Sequence, residues 1–498
     1  MKDYYLRIQA KSLLNKRPVH KGDLIVNSEP FAFVINNQHI SEYCGYCLLR
    51  ATLIKHNPCK TCRLQWYCSP GCERLGWDFH QYECARLKRM QQDFPPSFVR
   101  LVARIIFKLQ NGGGKIVEKY NAKDGRRFRD LMNHFADVKK DEEAKKEVDE
   151  ELIPKLKQYL GKDNLPNYAD FLGIYGRVLV NRFCLFDDTM MTFGSGVYLA
   201  ASIFDHACIP NCYVSFSGRN VQIRSLIDMK ELDYNKLRIG YIDPVCSVAT
   251  RKAELQRRWF FWCDCKTCAD EERKELENSI ICETEGCEAK VYIPEEFDAQ
   301  NPVEPKCKNC NTPVSAKKVR DYRSIIYKTK KTLKEMSEEN PNVIECMELL
   351  EMQGEMLHPL NVWRVRTLDF AFNACIFNGC WSRAMDYGDM NYEGMRHYYG
   401  PDNPTLSLFL LKLGKAKIYL KEFREGVRHL ETAEPILKEA LGANHPLIVQ
   451  HLIPTNELAN EDLSIRLERM EKSKLKESIQ NWVASLTRPQ VKLNTPVA

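Results

Sequence analysis

Clustered cysteines are the feature that most limits how this chain can fold. Of its 21 cysteines, seven lie between Cys44 and Cys84, three between Cys263 and Cys268, and four between Cys282 and Cys310. The first residues, MKDYYLRIQAK, lack the apolar core of a secretory signal, so we expect an intracellular protein whose cysteines stay reduced. The clusters therefore predict metal binding rather than disulfide bonding.

The first cluster has the spacing of a two-zinc module. Beginning at Cys44, it reads Cys-x2-Cys-x11-Cys-x2-Cys-x5-Cys-x3-Cys-x7-His-x3-Cys. Eight nitrogen and sulfur ligands suit two closed tetrahedral zinc ions, and a module of roughly 40 residues is too small to hold itself together otherwise. The last two ligands stand about one helical turn apart, so a short helix can supply both. The predicted ligands are Cys44, Cys47, Cys59, Cys62, Cys68, Cys72, His80 and Cys84.

The last cluster has the pattern of a zinc ribbon. Two cysteine pairs, Cys282-x4-Cys287 and Cys307-x2-Cys310, flank the strand-like segment AKVYIPEEF. Zinc is the predicted occupant, and reduced surface thiols are the alternative. Six further cysteines belong to no predicted metal group, and we expect them to be small buried residues, since free cysteine is among the most buried residue types. They are Cys184, Cys212, Cys246, Cys346, Cys375 and Cys380.

Charge and hydropathy narrow the function classes. The 498 residues are 44% hydrophobic and 28% charged with a net charge of +7, which indicates a globular protein of about three domains. From Cys44 to Met90, eight basic residues face three acidic ones, but thiolates outweigh zinc charge in the same module. We therefore do not expect direct nucleic-acid binding. No apolar run approaches the roughly 18 residues that span a bilayer, so we expect no membrane association.

Hydrophobic periodicity divides the chain into strand-rich and helical parts. The segment 22–35 is strand-like, 96–180 is helical, and 192–243 contains short β-type segments. The run KKDEEAKKEVDEEL has opposite charges three or four residues apart, which predicts a solvated helix face. After residue 315 the periodicity is helical again.

The helical last third contains a weak repeat. Three similar segments contain Pro359, Pro404 and Pro446, which are spaced 45 and 42 residues apart. Small and apolar residues between the last two prolines have the spacing of a tetratricopeptide helix pair, in which small side chains let antiparallel helices approach closely. These residues are Leu413, Gly414, Gly426, Leu430 and Ala433. An ordinary helical bundle is the alternative.

Together these motifs resemble a known family. The first cluster, with Tyr67 before Cys68, resembles the MYND finger, a peptide-binding zinc module. The segments GSGVYLAASIFDHACIPNC (194–212), IGYIDP (239–244) and RRWFFWCDCKTC (257–268) resemble, in order and spacing, the SET domain of protein-lysine methyltransferases. The whole chain resembles the SET-and-MYND (SMYD) family over about 450 residues.

The resemblance implies an α+β fold in which a β-rich SET domain is split by an inserted MYND finger. A cysteine-rich post-SET segment and a helical tetratricopeptide-like domain would follow. The expected division is 1–43 for the N-terminal part of SET, 44–84 for the finger, 85–180 for a helical insert, 181–250 for the SET core, 251–270 for the post-SET zinc segment, 278–314 for the ribbon and 315–480 for the helical domain.

The implied activity is methyl transfer from S-adenosylmethionine to lysine on histone or non-histone proteins. Tyr241, in the predicted strand IGYID, matches the family's catalytic tyrosine, and Trp259 matches an aromatic residue that lines the lysine channel. Aromatic faces suit a sulfonium and a lysine stem. The implied cofactor contacts are Asn133, Asn181, Asp205, His206, Tyr241 and Phe261. For Tyr241, Trp259 and Phe261, plain core packing is the alternative.

Metal pairing also follows from the resemblance. In the finger, Cys44, Cys47, Cys68 and Cys72 would share one ion, and Cys59, Cys62, His80 and Cys84 the other. Cys208 would join Cys263, Cys265 and Cys268 around a third zinc that ties the C-terminal flank over the active site. The ribbon would hold a fourth.

Three departures from the family pattern keep a second function open. Ala10-Lys11-Ser12 replaces a Gly-x-Gly loop, Asp205 replaces an Asn, and Tyr234-Asn235-Lys236-Leu237 replaces a Gly-Glu-Glu-Leu turn. A side chain in a glycine loop can crowd the donor, and aspartate lacks the amide donor of asparagine. The alternative is a zinc-stapled peptide-binding adaptor with an inactive SET core. In either case the resemblance implies a monomer in cytoplasm and nucleus, with peptide partners on the finger and helical domain.

Overall fold

The computed structural model describes residues 14–15, 17–51, 55–187, 190–294, 304–336 and 342–460. The fold mixes strands and helices, as expected, and its strands are short. They are β1 (Leu14–Asn15), β2 (Leu24–Ser28), β3 (Ala32–Ile35), β4 (Asn57–Pro58), β5 (Trp66–Tyr67), β6 (Glu118–Lys119), β7 (Gly125–Arg126), β8 (Arg182–Phe186), β9 (Thr192–Val197), β10 (Asp205–His206), β11 (Cys212–Ser217), β12 (Asn220–Ser225), β13 (Leu232–Asp233), β14 (Arg238–Ile239), β15 (Ser279–Ile281) and β16 (Lys290–Tyr292).

Two antiparallel three-stranded sheets form the centre of the strand-rich part, with orders β11–β12–β2 and β3–β9–β8. Along β12, Val221, Ile223 and Ser225 are buried and alternate with half-buried residues, which is the pattern of a sheet with one covered face. The described residues also form five two-stranded pairs. Only the pair β10–β14 is parallel, among the strands that the structure describes.

Ten described α-helices precede the ribbon, and five of them begin within the segment 96–180 that was predicted to be helical. They are α1 (Pro70–His80), α2 (Cys84–Arg89), α3 (Ser97–Gln110), α4 (Phe135–Lys140), α5 (Glu142–Lys146), α6 (Ile153–Leu160), α7 (Tyr168–Asn181), α8 (Val248–Trp259), α9 (Lys266–Ala269) and α10 (Glu271–Glu277), with a π-helical turn at Glu147–Leu152. One expectation needs correction. The small hairpin β6–β7 interrupts the segment 96–180, because the glycines at 112–114 end α3. In the charge run, only Ala144, Val148 and Leu152 are buried.

After the ribbon, all regular secondary structure in the described chain consists of helices. They are α11 (Ala316–Glu335), α12 (Val343–Gln353), α13 (Val362–Phe377), α14 (Trp381–Tyr399), α15 (Pro404–Tyr419), α16 (Phe423–Leu441) and α17 (Ile453–Asn460), with a π-helical turn at Leu447–Leu452. Side-chain caps define several starts. Asn361 and Asn403 accept hydrogen bonds from backbone amides of α13 and α15, and Pro404 takes the first position of α15.

Close packing of α15 and α16 confirms the reason given for their small residues. Each helix from α11 to α17 contacts the next one. A Cβ atom at Gly414 would lie 2.9 Å from the carbonyl oxygen of Gly426, and one at Gly426 would lie 2.6 Å from Ile418 Cγ1. Leu413, Leu430 and Ala433 are completely buried beside them. Glycine is therefore required for this helix spacing.

The helical region rests on the strand-rich part. Helix α16 contacts β11 and β12, and the Lys21 ammonium lies 3.1 Å from the Glu439 carboxylate of α16. No described helix is both long and apolar enough to cross a membrane. Among the six cysteines expected to be buried, four are. Cys184 and Cys380 are partly exposed, because one lies on the edge strand β8 and the other directly precedes α14.

Candidate functional site

Four groups of metal-ligating side chains come together in the fold. Within each group, the four ligand atoms lie within 4.8 Å of one another. The groups are Cys44, Cys47, Cys68 and Cys72; Cys59, Cys62, His80 and Cys84; Cys208, Cys263, Cys265 and Cys268; and Cys282, Cys287, Cys307 and Cys310. Membership agrees with the ligand sets that the sequence implied, including the interleaved pairing of the finger.

Sulfur spacing identifies the kind of ion that fits. The Sγ atoms of Cys47 and Cys68 are 3.6 Å apart, and those of Cys59 and Cys84 are 3.7 Å apart. A zinc–sulfur bond of about 2.3 Å in tetrahedral geometry places two sulfurs about 3.8 Å apart, whereas a disulfide needs about 2.05 Å. All 21 cysteines are free of disulfides. The donor sets therefore fit tetrahedral zinc.

A buried polar network supports the second finger group. His80 Nε2 lies 3.3 Å from Cys62 Sγ, and its Nδ1 lies 3.2 Å from the Glu83 carboxylate. Arg104 of α3 donates to both oxygens of Glu83 and to the carbonyl oxygen of Phe33 on β3. Such a carboxylate partner fixes the ring orientation of a metal-ligating histidine. The finger is thereby tied to the sheet.

The third group joins distant parts of the chain. Cys208 follows β10 and its Sγ lies 3.5 Å from that of Cys268 at the end of α9. Beside it, the completely buried Arg251 guanidinium lies 2.9 Å from the Glu277 carboxylate and donates to the carbonyl oxygens of Pro244 and Cys246. Sequence reasoning missed this ion pair, since nothing local marks an arginine on α8 as buried. It holds the loop that follows Tyr241.

Aromatic rings gather next to this third group. The ring of Tyr241 lies 5.3 Å from that of His206 and 5.2 Å from that of Trp259, between centroids, and Phe261 lies 6.2 Å from His206. Tyr241, Trp259 and Phe261 are each partly exposed, so they are not simply core. The Trp259 indole nitrogen donates to the carbonyl oxygen of Val180, which holds its ring in place. This aromatic group offers faces to a cationic ligand.

Tyr241 itself lies just outside a strand, which corrects the prediction that the whole segment IGYID is extended. The strand β14 ends at Ile239, and the Tyr241 amide then donates to His206 Nδ1 over 3.1 Å. Its phenol donates to the carbonyl oxygen of Phe204 over 2.6 Å. These two hydrogen bonds therefore hold both the backbone amide and the side-chain hydroxyl of Tyr241 in place.

His206 is a neutral acceptor at this position. Burial lowers its pKa to about 4, and its Nδ1 must be unprotonated to accept the Tyr241 amide. The side chain thus serves to hold Tyr241. Its backbone belongs to β10, beside β14.

Asn181, the last residue of α7, contacts the loop that contains Asn133. The Asn181 amide nitrogen donates to the carbonyl oxygens of Met132 and Arg177. Asn133 accepts from the Phe135 amide, and its carbonyl oxygen would be 2.0 Å from a Cβ at Gly176. The loop around residue 133 is therefore pressed against α7, next to the aromatic group.

One basic residue near the site was not predicted. Arg126 of β7 donates to the carbonyl oxygens of Ser202 and Asp130. Burial lowers the pKa of Arg126, and the nearby Asp205 and Tyr241 act against that decrease. The charge of Asp205, which departs from the family pattern, thus has a cation near it. The replacement of Asn by Asp at position 205 was the signal in the sequence that a cation would lie nearby.

The helical region also reaches the segment that follows Tyr241. The Tyr399 hydroxyl of α14 donates to Asp243 Oδ1 over 2.9 Å, and Arg366 of α13 donates to the carbonyl oxygen of Val245. Of the departures, Tyr234 begins a single helical turn and donates to the carbonyl oxygen of Tyr120, whereas Ala10-Lys11-Ser12 lies outside the described residues.

This arrangement defines a class: a protein of mixed strands and helices whose aromatic site packs beside a four-cysteine metal group. No family model matches the chain. It is 26% identical to the histone-lysine N-methyltransferase SMYD3 of Homo sapiens over 86% of this chain and 91% of that protein. It is also 26% identical to the N-lysine methyltransferase SMYD2-A of Danio rerio, again over 86% and 91%. It is 24% identical to the N-lysine methyltransferase SMYD2 of Rattus norvegicus over 88% and 94%. These similarities to SMYD methyltransferases agree with the resemblance that the sequence motifs indicated.

Proposed function

We propose that this protein is a protein-lysine N-methyltransferase that uses S-adenosylmethionine and acts on histone or non-histone proteins. The observation that carries the proposal is the partly exposed aromatic group around Tyr241, whose hydroxyl is oriented by a hydrogen bond to Phe204. The relatives named above are lysine methyltransferases, and the similarity to SMYD3 and to SMYD2-A covers 91% of each of those proteins. For that reason the adaptor alternative is not favoured.

The residues around the site suit the methyl donor. Bound S-adenosylmethionine supplies an electrophilic methyl group on a sulfonium. The aromatic faces of Tyr241 and Phe261 suit that positive charge. Neutral His206 adds no competing charge, and Asp205 has Arg126 near it. With Asn133 and Asn181, these residues form the proposed cofactor site.

The chain's own groups then align the amine. A phenol oxygen accepts as well as donates, so Tyr241 can hold the lysine nitrogen while donating to Phe204. Trp259, whose indole nitrogen is bound to Val180, lines the proposed lysine channel and favours the uncharged amine by excluding water. Tyr241 is the proposed catalytic residue because its hydroxyl acts mainly on the transition state.

Four zinc ions complete the proposal: two in the finger, one at Cys208 and one in the ribbon. The division into SET parts, finger, post-SET segment, ribbon and tetratricopeptide-like domain follows the ranges given above. We further propose that the finger and the helical domain bind peptides, that the protein is a monomer, and that it occurs in cytoplasm and nucleus.

Titration with S-adenosylmethionine and the Tyr241→Phe variant test the function. Wild type is expected to bind the donor and to methylate a lysine peptide mixture. Tyr241→Phe should keep donor affinity within a few-fold but lose on the order of 100-fold in rate, a typical loss for a positioned polar group. The matched control Tyr387→Phe on α14 should keep full activity. A wild type that binds no donor at millimolar concentration would reject the enzyme and leave the adaptor.

A further inference from the structure

Nearly all of the net positive charge of this protein lies on one helix. Helix α11 contains eight lysines or arginines and two acidic residues, a net charge of +6, while the whole chain carries +7. The next helix, α12, has three glutamates and no basic residue. The mild overall charge therefore conceals a strong local one.

The cations of α11 line its solvent side. Tyr322, Ile326, Thr329 and Leu333 form its buried face. At about 100° per residue, the opposite face includes five exposed cations and Tyr327, which we call the basic stripe, together with the exposed Ser324, Asp321 and Glu335. The basic stripe consists of Lys317, Arg320, Tyr327, Lys328, Lys331 and Lys334. Within the described parts of the chain, none of its five cations has a carboxylate within 4.0 Å, whereas Lys318, outside the stripe, pairs with Glu283 over 3.0 Å.

Such a stripe is costly without a partner. Three pairs of cations in the stripe lie three residues apart and repel by a few tenths of a kcal/mol per pair, which Asp321 and Glu335 offset only in part. The stripe is about 25 Å long at 1.5 Å per residue, with a cation roughly every 5 Å. A nucleic-acid backbone is a linear polyanion of similar charge spacing, and neutralising it releases condensed counterions.

The aromatic residue in the stripe favours a single strand. Tyr327 is 71% exposed and lies between Arg320 and Lys331. Unpaired bases stack on such rings, whereas an acidic amphipathic helix needs several apolar anchors at helical spacing, and the stripe offers one. We propose that the basic stripe binds single-stranded nucleic acid, with phosphates on its cations and a base on Tyr327. This differs from the expectation of no direct nucleic-acid binding, which considered the finger and the total charge.

Fluorescence anisotropy of the full-length, zinc-loaded protein with a labelled 20-nucleotide oligo(U) tests the cations. The triple variant Lys317→Glu/Lys331→Glu/Lys334→Glu should bind at least tenfold more weakly at 50 mM salt. The slope of the logarithm of its binding constant against the logarithm of salt concentration should be less steep by about two, at roughly 0.7 per lost phosphate contact. The matched control is Lys140→Glu/Lys145→Glu/Lys146→Glu, three exposed lysines on α4 and α5. It changes the total charge equally and should lose less than twofold.

The Tyr327→Ala variant tests the preference for a single strand. We expect about a tenfold loss for oligo(U), within the range of base–aromatic stacking, and less than a twofold loss for a 20-base-pair duplex. Tyr327→Phe should restore binding to oligo(U). Thermal melting checks that each variant is folded.

Four outcomes would overturn the proposal. They are no binding by wild type at 50 mM salt, an equal loss in the control triple, an unchanged affinity of Tyr327→Ala for oligo(U), or competition by a 20-residue polyglutamate as effective as that by unlabelled oligo(U). The last would identify an acidic protein as the partner. Because binding needs no methyl transfer, these results do not depend on whether the protein is a methyltransferase.

Discussion

The zinc finger and the C-terminal helices are stabilised in different ways. In the described part of 44–84, the only buried apolar side chains besides cysteines are Leu48 and Tyr67, while Leu75 and Trp77 are half exposed. Helix α15 alone buries eight apolar residues after its first proline: Leu406, Leu408, Phe409, Leu410, Leu411, Leu413, Ala416 and Ile418. The comparison teaches that metal–ligand bonds replace a core where the segment is too short to bury one.

Removal of metal should produce the largest difference in stability between the two regions. Structural zinc contributes on the order of 10 kcal/mol to small modules, more than such a module can otherwise supply. After chelation at neutral pH, hydrogen exchange should lose protection at residues 44–84 and keep it at 404–441. Elemental analysis of the untreated protein should find four zinc ions per chain. Retained protection across the finger would show that it folds without metal.

Breaking single metal groups sharpens the comparison within the metal-bound part. Cys208→Ala should lose one zinc and about 100-fold or more in methyl transfer, because the Tyr241 loop and the 263–268 segment are no longer held together. Cys282→Ala should also lose one zinc but keep activity within a few-fold, since its metal group is separate from the one that contains Cys208. Equal activity of both variants would contradict a positioning role for the third group.

A truncation in the helical core should act without any change in zinc. Leu413 is completely buried between α15 and its neighbours. Leu413→Ala is expected to lower the free energy of unfolding of the helical region by about 2–5 kcal/mol through lost burial and a cavity. Chemical denaturation followed by circular dichroism measures the loss, and zinc content should stay at the wild-type value. Loss of zinc in this variant would mean that the two regions unfold together.

The smallest predicted effect concerns the spacing of α15 and α16. Gly414→Ala adds a methyl group 2.9 Å from the Gly426 carbonyl oxygen, so the helices must separate slightly, at a cost of about 1–3 kcal/mol. The control Gly114→Ala meets nothing closer than 3.9 Å and should change stability by less than about 0.5 kcal/mol. Equal melting temperatures for the two variants would contradict a close helix contact.

Local spacing made much of this molecule predictable. The cysteine pairs and the small residues of α15 and α16 are set by neighbours in sequence, and the structure has them as expected. The prediction that one short helix supplies both His80 and Cys84 was wrong, because α1 ends at His80 and Cys84 begins α2. Interruption of the segment 96–180 by a hairpin and the early end of β14 were not predicted. The first follows from the glycines that end α3 and the second accompanies the pairing of β14 with the distant β10, and hydrophobic periodicity reports neither.

What the sequence determined by itself is the chemistry of the donor sets, because ligands a few residues apart stay close in any fold. Only the tertiary structure decided which distant groups meet. The buried pair Arg251–Glu277, Arg126 near Asp205, and Tyr399 on Asp243 each join segments well separated in sequence. It also decided that one face of α11 is buried and that the other leaves its cations in solvent. The physical reason is that burial and long-range electrostatics depend on three-dimensional packing, whereas ligand spacing depends on covalent geometry.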